Sequence, residues 1–355
     1  MAEFTSRERV LAAIRHKEAD RVAIHDSPWG TTEARWHREG IPEGVTSADY
    51  FGFEFRGMWG DNSLQLPGQT LEETDEYVIR TTGDGNTWKS WKAHESTPEL
   101  IDFSITTRAL WEEHKPRMAY NDARVDWDAL RATYDDAQAR DLFFYIGFGP
   151  GFTKICNMVG PDRTLMAMVE DPDWVADMFL TDAQLCVAIA EEMMGRGFVP
   201  DAGWIFDDLG YKHRSFFSPA MYREMLQPAH KLMADCFKSR GLPMILHTCG
   251  YTMELMPALL ETGFDVIQPL EAKAGNDLIQ LKKDYGERVA FMGSIDVRAM
   301  ADPDPAVIER EIATKIPVAM EGGGYIYHSD HSVPDNVSLD QYRRVMELVG
   351  HYGKY

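Results

Sequence analysis

The sequence predicts an α/β fold: a single (β/α)8 barrel over residues 1–355, with an irregular N-terminal elaboration over residues 25–115. Three observations carry this expectation. From about residue 140 onward, short apolar segments alternate with helical patterns of ten or more residues, which demands a parallel sheet covered on both faces. Five of those segments end in a polar group: Asp207-Asp208, His247 to Cys249, Glu271, Asp296, and His328 to His331. A closed barrel brings such strand ends to one mouth, whereas an open sheet concentrates function at a single switch point. Finally, GFGPG at 147–151 puts a proline where a dinucleotide-binding turn would open its helix, and no GxxxxGK[ST] occurs.

The elements follow in order. Ser6 caps a helix over Arg7 to Lys17 with Val10, Leu11 and Ile14 on one face, and Arg21 to Ile24 is a short strand closed by a turn at Pro28 and Gly30. Up to about residue 115 aromatic residues such as Trp36, Phe51 and Trp88 recur without helical period. The turn signals GDNS and GDGN there favour short strands and loops over long helices. Leu142 to Ile146 and Ala202 to Phe206 are apolar strands, and Ser218-Pro219 opens a helix reaching Gly241. Strand Pro243 to Leu246 precedes a helix over Glu254 to Glu261 that stops at Gly263. Strand Asp265 to Gln268, helix Asn276 to Tyr285, strand Arg288 to Met292, a helix from Pro305 to Glu321, strand Tyr325 to Tyr327 and a last helix capped by Ser338 complete the alternation.

Charge narrows the function. With 36 Lys and Arg against 57 Asp and Glu, the formal net charge is −21, so nucleic acid and anionic membrane surfaces are poor partners. The four cysteines are too scattered for a disulfide framework and suit a reducing compartment. No signal peptide pattern opens the sequence and no stretch nears the roughly 18 apolar residues of a membrane span, so the expected location is cytoplasmic.

His247 and Cys249, two apart at a strand end, suit a borderline-soft ion such as zinc; the competing reading is a satisfied buried histidine beside a small apolar cysteine. His328 and His331 offer further donors, or polar lining for a loop. Asp207 and Asp208 point to opposite faces of an extended strand, so at most one faces the centre, as acid, ligand or substrate acceptor. Glu271 sits similarly, with Lys273 placed to neutralise it. Trp29, Tyr211, Tyr325 and Tyr327 are candidates to wall a pocket for a flat substrate, or else core residues.

The segments SRERVLAAIRHKEADRV, FDDLGYKHRSFFSPAMYREMLQPAHK, GLPMILHTCG, FMGSIDV and GGGYIYHSDHSVPDNVS resemble the uroporphyrinogen decarboxylase superfamily over essentially the full length. That resemblance implies a (β/α)8 barrel with its active site at the mouth. The family holds cofactor-free porphyrinogen decarboxylases and zinc-dependent methyltransferases that exchange methyl groups with a corrinoid protein. The decarboxylases carry a closely spaced arginine pair, ending RQAGR, after the first strand; this chain has HDSPWGTTEARW there, with only Arg35. The methyltransferase zinc motif, H-x-C followed by a distant Cys, matches His247 and Cys249, and His331 aligns where the later Cys falls. Asp208, Glu271 and His328 are the other donors open to that position. The resemblance thus implies Zn2+ on His247, Cys249 and His331, and catalytic roles for Asp208 and Glu271. Trp29, Asp207, Tyr211, Tyr325, Tyr327 and His328 would contact a small methylated donor, a methoxylated aromatic by preference, and the corrinoid would be carried by a separate partner protein. A decarboxylase and a non-catalytic binding barrel are the alternatives.

Overall fold

The computed structural model describes residues 4–92 and 97–355. Among these, twelve strands form two sheets. The first holds β1 (Ala23–Ile24), β2 (Phe55–Trp59), β7 (Phe143–Phe148), β8 (Ala202–Phe206), β9 (Met244–Thr248), β10 (Val266–Pro269), β11 (Ala290–Met292) and β12 (Tyr325–Tyr327). They pair in parallel in the order β1-β12-β11-β10-β9-β8-β7-β2, and helices follow on the outside: the (β/α)8 barrel expected from the alternation. The ends of that order meet across one seam. Glu54 N–H donates to the Ile24 carbonyl, and the Glu54 carboxylate accepts from Ile24 N–H at 2.6 Å. Arg9 and Arg21 both pair with this fully buried glutamate, which is how a charge is tolerated there.

Strand alternation separates two cores. Phe55, Phe143, Trp204, Ile245, Val266, Met292 and Ile326 point inward, and Val10, Ala13 and Ile14 of the first helix close the bottom of the barrel. Residues of the opposite parity, including Phe144, Ile205, Leu246, Ile267, Tyr325 and Tyr327, face the surrounding helices.

Residues 25–115 contain helices Gly30–Glu39 and Ser47–Phe51, barrel strand β2, and the second sheet. That sheet is antiparallel, β3 (Thr70–Glu73), β4 (Tyr77–Thr81), β5 (Asn86–Trp91) and β6 (Glu99–Phe103), followed by helix Arg108–His114. The ten-residue helix at Gly30 lies where a turn and loops were expected. Only Thr32 and Trp36 of it are buried, so its apolar stripe is too thin to register as a period.

Two further differences concern helices. The first helix is Ser6–Ile14 and its cap is Thr5, not Ser6: Thr5 and Glu8 form a reciprocal capping box. The helix opened by Ser218 contains a π turn at Tyr222–Leu226 before it continues over Gln227–Lys238. Pro228 explains the interruption, because a proline lacks the N–H that an unbroken α-helix needs there. Among the described residues no helix is long and apolar enough to cross a membrane.

Candidate metal centre

Parity decides what faces the mouth. On β8 the inward positions run Ala202, Trp204 and Phe206, so the next inward residue is Asp208, and Asp207 falls outside. Asp207 is fully buried there. Its carboxylate accepts from the N–H groups of Phe152 and Thr153 at 3.0 and 2.7 Å, at the start of helix Phe152–Val159, and lies 3.1 Å from His230 Nε2. His230 Nδ1 is tied to Tyr222, whose hydroxyl also meets Thr262. With both oxygens occupied, Asp207 anchors a helix rather than contacting a substrate, contrary to expectation.

Asp208 turns inward. Its Oδ1 accepts from Cys249 N–H at 2.8 Å and stands 3.5 Å from His247 Nε2, while Cys249 Sγ is also 3.5 Å from that nitrogen. Burial works against the Asp208 charge, but His247 in its protonated form, the Cys249 N–H and a protonated His331 outweigh it and hold the carboxyl below its usual range. Burial, Asp208 and Glu271 push the Cys249 thiol well up, and Lys273 offsets this only in part, as expected for a buried sulfur among carboxylates. The ligand atoms of Asp208, His247 and Cys249 all lie within 4.8 Å of one another, so imidazole, thiolate and carboxylate converge in a donor set that fits zinc.

His331 does not join that group. It lies on the loop beyond β12, with Nδ1 3.4 Å from the Ser332 carbonyl and its ring 6.0 Å from Trp29. Burial and Lys273 lower its pKa. The third donor beside His247 and Cys249 is therefore Asp208 in this geometry. Glu271 accepts from Gly250 N–H at 2.6 Å and pairs with Lys273 at 3.0 Å, so it braces the loop that carries Cys249. That loop is held from the other side too: a Cβ on Gly250 would come within 2.2 Å of the Gly210 backbone, so the turns after β8 and β9 pack directly on one another.

The aromatic residues separate by parity as well. Tyr325 and Tyr327 flank the inward Ile326 and are fully buried on the outer wall, with hydroxyls donating to Gly293 O and to Asp26. They cannot line the mouth. His328 is inward but buried, with Nε2 3.3 Å from the Gln268 amide nitrogen. Tyr211 is exposed on the loop after β8 and packs on Phe216; Trp29 is half-buried at the rim. The aromatic groups that do border the interior are not those the sequence singles out. Phe206 stacks on His247 with centroids 4.4 Å apart, Trp204 packs on Tyr145 at 4.7 Å, and Tyr145 meets Trp59 at 6.1 Å. Room for Tyr145 comes from Gly57, where a Cβ would sit 2.1 Å from the phenol ring. A signal for Phe206 is present in the sequence: it is two residues before Asp208.

The family model for uroporphyrinogen decarboxylase (URO-D) matches residues 103–352, most of the chain. The chain belongs to that family. Among curated URO-D enzymes, that of Arthrobacter sp. (strain FB24) is 28% identical over 134 residues, 37% of this chain and 36% of its own length. That of Mannheimia succiniciproducens is 25% identical over 217 residues, 59% of this chain and 54% of its own. The matches thus span about a third to a half of those relatives. A methyltransferase from Methanosarcina mazei shares the fold, with a TM-score of 0.67 at 15% identity over 99% of both chains. In this URO-D family member Arg35 pairs with Glu39 and donates to the Asp335 carbonyl, so it is committed on the outside of the barrel.

Proposed function

We propose that this protein is a zinc-dependent methyltransferase that moves a methyl group from a small methoxylated aromatic donor to a corrinoid carried by a separate protein. The observation that carries the reading is the convergence of Asp208, His247 and Cys249 at adjacent strand ends. The fold shared with the Methanosarcina methyltransferase supports it. So does the placement of Arg35 and Arg38, the arginines after β1, on helix Gly30–Glu39, where Arg35 is committed to Glu39 and the Asp335 carbonyl and Arg38 is exposed, since a polycarboxylate would meet Asp208 and Glu271 at the mouth without them.

His247, Cys249 and Asp208 would hold the ion, whose chemistry is Lewis acidity toward the oxygen that the methyl group leaves. Phe206, stacked on His247, fixes the imidazole plane and offers an apolar face beside it. Trp204 and Tyr145 extend that face along the inner wall, where a flat ring can lie. Glu271 and the Gly210–Gly250 contact keep the Cys249 loop in place, so the donors are arranged before anything binds. The exposed rim, including Tyr211, is left for the corrinoid protein to cover.

The test supplies a cobalt(I) corrinoid protein, metal-loaded enzyme and a panel of methoxylated aromatics. Absorption should convert to that of methylcobalt(III) only when all are present. Carbon dioxide release from a porphyrinogen by metal-stripped protein, with no methyl transfer from any ether or amine, would select the decarboxylase activity named for the curated relatives instead.

A further inference from the structure

We propose that Gln268 and His328 are positioning residues that fix the tautomer of His247, and so decide which nitrogen offers its electron pair to a cation. The proposal takes its purpose from the metal reading above, but its content is a proton position that can be observed without metal.

The relay starts at an atom that can only accept. His328 Nδ1 lies 2.6 Å from the Ser329 carbonyl oxygen, and the Asp26 carboxylate stands 3.7 Å from the same nitrogen. Nδ1 therefore carries the hydrogen, and Nε2 of the neutral ring is an acceptor. Two donors face that Nε2: the Gln268 amide nitrogen at 3.3 Å and the Ser27 hydroxyl at 3.4 Å. With its NH2 group directed there, Gln268 presents Oε1 to His247 Nδ1 at 2.5 Å. An amide oxygen accepts, so His247 holds its hydrogen on Nδ1 as well. Its Nε2 is then a bare electron pair on the side where Cys249 Sγ and Asp208 Oδ1 each stand 3.5 Å away.

Every link has one direction, set by the backbone carbonyl at the far end. Gln268 and His328 are 2% and 1% exposed, so water is not available to substitute at either. Gln268 pairs with His247 in the strand register, which places the amide on the same rung of the barrel. Glutamine is the residue that can both donate to one imidazole and accept from the other; a hydrocarbon does neither and a carboxylate only accepts. The opposite tautomer would aim an N–H at the ion position and close it.

The experiment has two readouts. Long-range proton–nitrogen correlation on metal-free protein with 15N-histidine, the His247 signals assigned through His247→Ala, should show hydrogen on Nδ1 and an unprotonated Nε2. Hydrogen on Nε2 overturns the proposal, and this reading needs no variant of the relay. Chelator competition then gives zinc affinity. Gln268→Leu should weaken it about 10- to 100-fold, whereas Gln268→Glu, which keeps the acceptor facing His247 but loses the donor facing His328, should recover part of that loss without reaching wild type. A Gln268→Leu protein that folds and binds zinc within about threefold of wild type refutes the positioning role. Wild-type protein that takes up no zinc while showing the Nδ1–H tautomer overturns the metal reading and upholds the relay.

Discussion

Asp207, on the outer wall of β8, commits both carboxylate oxygens to the backbone of helix Phe152–Val159 and to His230, whereas Asp208, one residue on and on the inner wall, engages the described residues through Oδ1. On β12 the outward Tyr325 and Tyr327 likewise tie their hydroxyls to Gly293 and Asp26, while the inward His328 is partnered by Gln268, a residue of the inner wall itself. A polar residue on the outer wall is enclosed by helices and must be satisfied by them; on the inner wall near the strand ends it can be left for a ligand. The inner and outer walls thus divide chemistry from architecture at single-residue resolution.

The sharpest way to break this division is Cys249→Ala. If the inner wall holds the ion, losing the thiolate should reduce zinc affinity by more than about a hundredfold with little change in thermal stability of the metal-free protein, measured by chelator competition and calorimetry. Next come the paired aspartates. Asp207→Ala should cost about 3–5 kcal/mol in urea denaturation, because it leaves buried N–H groups and His230 without their acceptor. Asp208→Ala should cost under about 1 kcal/mol, yet lose zinc affinity. Equal behaviour of the two would erase the distinction between the walls.

A third test uses Asp182, which lies outside the barrel on helix Pro172–Gly195 and accepts from Asn62. Burial pushes its carboxyl up to about 7. The folded state therefore keeps a proton that the unfolded chain releases near its ordinary value, so stability falls as pH rises between the two. Asp182→Asn should match wild type near pH 4 and gain progressively to a plateau above about pH 7. The gain is at most a few kcal/mol, since each tenfold difference in proton affinity between the folded and unfolded chain amounts to about 1.4 kcal/mol. Denaturation curves across that range check it; a constant difference would refute it. The smallest effect belongs to Tyr325→Phe, expected to cost about 1 kcal/mol through the lost bond to Gly293 and to leave the KM for the donor unchanged. Trp204→Leu, on the inner wall, should raise that KM several-fold.

Much of the fold and part of the site are legible in the amino-acid sequence, for specific reasons. Strands β8 and β12 match the sequence expectation residue for residue, because each is an apolar run stopped by charged or polar residues. His247 and Cys249 are readable as a pair because a spacing of two keeps one face of a strand. The same rule applied to Tyr325 and Tyr327 puts them opposite Ile326, and applied from Trp204 it chooses Asp208 over Asp207. Gln268 gives no such signal, being an uncharged residue at the end of an otherwise apolar strand; its importance depends on His328, 60 positions away. His331 aligns well in sequence, but a loop residue's direction is not set by strand parity. Ser6 reads as the first cap, although Glu8, three residues beyond Thr5, marks the capping box.

The seam at Glu54 has a consequence for how the ring is assembled. β1 pairs with β12 through Ala23 and Ile326, so the first strand of the ring in chain order has no ladder partner until the last strand of the ring is made. Until then the two-residue β1 has only the Glu54 latch and the helix before it to hold it. Closure is therefore a long-range, late event that pays its loop entropy in one step. Pulse-labelling hydrogen exchange during refolding should find the amide of Ile24, which donates to Glu54, protected after those of β8 and β9.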